Sequence, residues 1–136
     1  MKFFESLLVV IACHGGTGGC LQGSDRRVVA LSDLQELVNG EDARAFRHCP
    51  KIFIISACRG EEDLDTLAFT DTVEENEAKA ATLSSTATDL YTAWSTVEGF
   101  VSQRHAEKGT FFLQSLCDVW SKDFFNLNIG DLMTKV

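Results

Sequence analysis

Residues 51–62, KIFIISACRGEE, run from a β-branched apolar stretch into a cysteine, an arginine, a glycine and two acids. Ile52–Ile55 is too short for a helix and has polar flanks, the pattern of a strand buried on both faces of a parallel sheet. Cys58 then stands just past the strand's C-terminal end. Free cysteine is among the most buried residue types, so a chemical role for Cys58 has to be carried by residues elsewhere in the chain.

The stretch Leu7–Ala12 is a second short run of the same kind, ending before His14. Between the two runs lies a helix signal. Ser32 and Gln35 form a capping box at the start of SDLQELV, with Leu34, Leu37 and Val38 on one face and Gly40 as the stop. Strand, helix and strand at this length make a βαβ crossover. Both strands are therefore expected to be parallel, with His14 and Cys58 on the same sheet edge, the edge where open α/β sheets bind ligands.

The chain's 136 residues, 45% apolar with ten Phe and one Pro, suit a single globular domain. The net charge of −8 is concentrated: residues 61–89 carry nine acids and one lysine, so 9 − 1 accounts for all of it. No basic face suggests a nucleic-acid partner. Five cysteines, with no Cys-x-x-Cys pair and no metal-ligand spacing to His14, His48 or His105, imply reduced thiols in the cytoplasm and neither metal nor cofactor. Cys13, Cys49 and Cys117 lie in apolar contexts and are expected in the core; Cys20, in a Gly-rich loop, is the candidate for exposure. The start, MKFFESLLVVIAC, has some features of a signal peptide, but Glu5 interrupts it and the apolar run is too short to span a membrane. A buried strand is the preferred reading, with no membrane partner.

Residues 61–89 are charged, rich in Ser, Thr and Ala, and poor in large apolar residues, as in an exposed linker. After it, LYTAWSTV reads as a strand, EG as a turn and FVSQR as an extended piece. TFFLQSLCDVW then places Phe112, Leu113, Leu116, Val119 and Trp120 at helical spacing, and NIGDLMTKV opens a last helix.

Peptide hydrolysis by cysteine needs a thiolate, a histidine to exchange protons with it, and backbone N–H donors for the oxyanion. Cys58 is the candidate nucleophile and His14 the general base and acid. The N–H groups of Gly15 and Cys58 are the candidate oxyanion donors, Gly15 and Gly16 leaving the backbone unobstructed. The local pattern Ser56-Ala57-Cys58-Arg59-Gly60, with a histidine 58 − 14 = 44 residues upstream, resembles the caspase nucleophile signature. LLVVIACHGG, HCPKIFIISACRG and LYTAWSTVEGFVSQR...GTFFLQSLC resemble caspase segments in the same order, so the resemblance covers nearly all ordered parts of the chain.

That resemblance implies an α/β fold, a three-layer α/β/α sandwich with a mostly parallel central sheet. It divides the chain into a large-subunit-like segment (1–65), an acidic intersubunit linker (66–89) and a small-subunit-like segment (90–136). The implied activity is a thiol endopeptidase made as a zymogen, which cleaves after aspartate in apoptosis or related proteolytic signalling. Arg104 would hold the substrate aspartate, as a guanidinium can bidentately, and Ser102, Gln103 and Arg104 would form the edge to which an extended substrate adds. Asp71, 71 − 58 = 13 residues past the cysteine, is the implied processing site, with Asp65 and Asp89 weaker candidates. The implied partners are protein substrates and a homodimer or heterodimer through the small-subunit segment.

Two residues leave the family pattern. Ser56 stands where glutamine usually helps hold the substrate carboxylate, and Gln103 where tryptophan usually lines the next pocket. Relative to a complete caspase domain the sheet is expected to lack its first strands and its last. A second reading therefore stands beside the enzyme: a catalytically impaired caspase-like fragment that binds and modulates a full-length caspase.

Overall fold

The structure, a computed structural model, describes residues 4–39, 43–46, 48–62, 89–105 and 107–136. Along the chain the strands are β1 (Leu7–Ala12), β2 (His14–Gly16), β3 (Cys20–Gln22), β4 (Val28–Ala30), β5 (Lys51–Ser56), β6 (Gly60–Glu62), β7 (Leu90–Trp94), β8 (Gly99–Phe100), β9 (Arg104–His105) and β10 (Gly109–Thr110). The helices are α1 (Leu31–Asn39), α2 (Phe111–Asp123) and α3 (Ile129–Lys135).

The centre is a parallel sheet in the order β1-β5-β7. β5 is the middle strand, and its sequence shows why: Phe53, Ile54 and Ile55 are at most 1% exposed, so the run is apolar on both faces. It begins one residue earlier than expected, with Lys51 almost fully buried; a hydrogen bond from Nζ to the Cys49 carbonyl at 3.1 Å offsets part of the cost of taking that polar group out of water. β1 is an edge strand with alternating burial, and its Leu8 and Val10 are about half exposed. No helix among the described residues is long and apolar enough to cross a membrane, and the apolar run near the start is β1.

Leu21, Leu31, Phe53, Ile55 and Ala57 form a core cluster, against which Leu34 and Val38 of α1 pack. Each fully buried side chain of this size contributes about 1.5–3 kcal/mol. Leu37, expected on the same face, is 73% exposed, because on a helix it lies about 100° round from Val38. The capping box is also not formed: α1 starts at Leu31, so Ser32 is already inside the first turn, and the Gln35 amide instead donates to Thr92 Oγ1 on β7 at 2.9 Å. Gly40, the expected stop, lies outside the described residues.

After β1 the chain folds into a small antiparallel sheet, β2-β3-β4, where the sequence suggested a loop. Cys20 is consequently half-buried in β3, Cys49 is buried, and Cys117, expected in the core, is exposed on the outer side of α2. The two last helices carry their own caps: Thr110 Oγ1 accepts the Leu113 N–H and Asn128 Oδ1 the Asp131 N–H. An ion pair between Lys135 and Asp123 at 2.6 Å ties α3 to α2.

Candidate active site

The parallel register pairs Ala12 with Ser56, and the Cys13 N–H continues the ladder to the Ser56 carbonyl at 3.2 Å. His14 and Cys58 therefore leave the sheet side by side, at the edge expected from the βαβ reading. Both line a cleft of about 580 Å³, together with Ser56, Ser102, Arg104 and Thr110. Five of the residues singled out from sequence thus meet in one concavity, although His14 and Arg104 are 90 positions apart (104 − 14).

Cys58 is half-buried and His14 exposed. The Cys58 sulfur accepts the Ser102 N–H at 3.4 Å, and among the described residues no hydrogen bond joins it to His14. Such pairs are often loose without substrate and tighten when it binds. Ser102 is held in turn by the Ser95 hydroxyl, which is 2.6 Å from its own.

Gly15 sits where no side chain fits. A Cβ there would lie 2.4 Å from the Cys58 carbonyl oxygen, so the histidine-bearing strand touches the loop that carries Cys58 directly. Gly16 is different, since a Cβ there would meet nothing within 4 Å. The crowding that demands glycine at 15 comes from the protein's own backbone.

Arg104 opens β9 opposite Thr110 of β10, and its guanidinium pairs with no carboxylate among the described residues. Gln103 is exposed and is not part of the cleft lining. Residues 101–103 carry no strand pairing; the edge available beside the cleft is the short β9. Of the other histidines, His48 is exposed and His105 accepts the N–H groups of Glu107 and Lys108 through Nδ1. Asp71 and Asp65 lie outside the described residues, as does the rest of 61–89 apart from Glu61 and Glu62, which fall in β6, and Asp89.

Two residues, Thr110 and Arg59, escaped the reading of the sequence. Ser56, 3% exposed, donates its hydroxyl to Thr110 Oγ1 at 3.0 Å, so the floor of the cleft is a hydroxyl pair. A threonine three places before Leu113, opening an apolar helical run, is an N-cap signal that marks Thr110 but does not reveal Ser56 as its partner. Arg59 lies with its guanidinium carbon 4.6 Å from the Trp94 ring centroid, and its backbone bonds to Phe100 and Gly99 at 2.8 and 3.0 Å.

A family model described as "Caspase domain" matches residues 3–136. Caspase-14 from Homo sapiens is 39% identical over 130 residues, 94% of this chain and 52% of that protein. Caspase-3 from Bos taurus is 34% identical over 132 residues, 97% of this chain and 46% of that protein. The crystal structure of caspase-1 from Spodoptera frugiperda superposes with a TM-score of 0.74 at 24% identity, over 96% of this chain and 48% of that one, which supports the α/β fold alone. The chain spans about half the length of the curated relatives it matches. With its parallel sheet, its cysteine and histidine at one sheet edge, and a family match over nearly its whole length, this chain belongs to the caspase family of cysteine peptidases.

Proposed function

We propose that this chain carries the catalytic cleft of a caspase-type cysteine endopeptidase that cleaves peptide bonds after aspartate. The observation that carries the reading is the convergence of His14, Cys58 and Arg104 on one cleft. His14 takes the Cys58 thiol proton, and the sulfur attacks the scissile carbonyl. The N–H groups of Gly15 and Cys58 hold the tetrahedral oxyanion. Protonated His14 then gives its proton to the leaving amine, forming a thioester. Water, deprotonated by the same histidine, hydrolyses the thioester and restores the thiol.

Arg104 supplies the counter-charge for the substrate aspartate, its guanidinium being unspent among the described residues. The Ser56–Thr110 pair supplies a further donor, because a hydrogen bond between two hydroxyls consumes one proton and leaves the other O–H available. Cleavage at Asp71, with Asp65 as the lesser site, separates the large- and small-subunit-like segments, and the small-subunit segment pairs with a second caspase chain. The five free cysteines suit the reducing cytoplasm, where apoptosis or related proteolytic signalling is the setting.

The half-exposed Phe4, Leu8 and Val10 beside the sheet edge favour a second reading, a caspase-like fragment that docks on a full-length caspase without cleaving. Labelling with an aspartyl acyloxymethyl ketone separates the two. Modification of Cys58 that disappears in His14→Ala supports the peptidase. A folded protein that resists the reagent yet co-purifies with a full-length caspase supports the second reading.

A further inference from the structure

We propose that Glu98 is a positioning residue, whose carboxylate ties the turn after the histidine to the loop of the nucleophile and so fixes the spacing of the two oxyanion donors. One of its oxygens accepts the Gly18 N–H at 2.7 Å, and the other pairs with the Arg59 guanidinium. Gly18 lies three residues beyond Gly15, in the turn joining β2 to β3, with φ +70. Arg59 follows Cys58 directly. The carboxylate therefore spans the two backbone segments that supply the Gly15 and Cys58 N–H groups.

A tie is needed because contact works in one direction only. The close approach of Gly15 to the Cys58 carbonyl stops the two segments from moving nearer, yet a repulsive contact cannot stop them from moving apart. Within the nucleophile loop, Arg59 is fixed by Trp94 and by Gly99 and Phe100. On the histidine side, the Gly18 N–H is the group that Glu98 holds. Charge-assisted hydrogen bonds at both ends of one carboxylate are short and directional, as positioning requires. The ion pair is partly exposed, 24% for the arginine side chain and 47% for the glutamate, so it adds little to overall stability and acts chiefly on geometry.

The catalytic consequence rests on the endopeptidase reading, and the experiment separates the two. Glu98→Ala and Glu98→Gln are compared with the parent by four measurements. These are the inactivation rate and affinity for the aspartyl ketone, the rate of Cys58 alkylation by iodoacetamide, the melting temperature, and hydrogen exchange of the Gly18 amide. In Glu98→Ala the ketone inactivation rate falls about tenfold, as expected for displaced oxyanion donors. Ketone affinity and the iodoacetamide rate, which needs no oxyanion site, stay within about twofold, and Gly18 exchange accelerates about tenfold or more. Glu98→Gln, which keeps an acceptor for Gly18 but loses the charge facing Arg59, falls in between. An unchanged ketone rate in Glu98→Ala, or a parallel loss of both labelling rates and melting temperature, overturns the proposal. If the parent itself resists the ketone while iodoacetamide modifies Cys58, the endopeptidase reading fails, and the tie is then judged by Gly18 exchange, whose constancy would overturn it.

Discussion

The two walls of the cleft are built differently. The wall bearing His14 and Cys58 grows out of β1 and β5, six-residue strands paired along their whole length, and the central one is buried from Phe53 to Ser56. The wall bearing Ser102 and Arg104 rests on β9 and β10, two residues each, with both residues of β9 exposed. The candidate reacting groups thus stand just beyond the ends of the longest paired strands, while the groups that would read the substrate stand on the least paired. Precise geometry is demanded of a nucleophile and its oxyanion donors, whereas a long arginine reaching a carboxylate tolerates some play.

Substitutions test that division. Cys58→Ala or His14→Ala is expected to abolish peptide cleavage, a loss of about 10³-fold or more, with the melting temperature nearly unchanged. Phe53→Ala, one strand layer below, is expected to cost about 3–5 kcal/mol in denaturant unfolding, because a side chain 1% exposed leaves a cavity in the cluster. Arg104→Ala is expected to cost about 2 kcal/mol in kcat/KM for aspartyl substrates, appearing in KM, while unfolding is unaffected. If Arg104→Ala instead destabilises the fold as much as Phe53→Ala does, the contrast between the walls is wrong. Thr110→Ala gives the smallest change, about 1 kcal/mol of stability for the lost α2 cap, with a modest loss of substrate affinity because Ser56 also loses its partner.

The wall built on long strands was also the legible one. Period and composition place β1 and β5 within a residue of their observed bounds, and the crossover argument brings His14 and Cys58 to one edge, because those inferences rest on buried apolar runs. The β2-β3-β4 sheet went unread because three-residue strands around Gly15, Gly16, Gly18 and Gly19 have no hydrophobic period to detect. Leu37 and Cys117 were assigned inward from apolar identity, and each is turned outward by its place on a helix whose other side is the packed one. Ser56–Thr110 and Gly18–Glu98 join residues 54 and 80 positions apart, and nothing local in either sequence segment announces the partner. Arg104 and the candidate processing aspartates came from family likeness, which names residues without supplying their surroundings.

The pairing of β5 with β7 carries a consequence for the linker between them. Five register pairs, Lys51–Leu90 to Ile55–Trp94, join the segments on either side of residues 63–88, and β6 with β8 adds a second seam. A single cut in that interval leaves these register pairs uncut, yet it turns one folding chain into two. Reassembly after unfolding then becomes bimolecular, so the cut adds a concentration dependence to the melting point that the uncut chain's own folding lacks. The nick leaves the architecture in place and changes the molecularity of its folding.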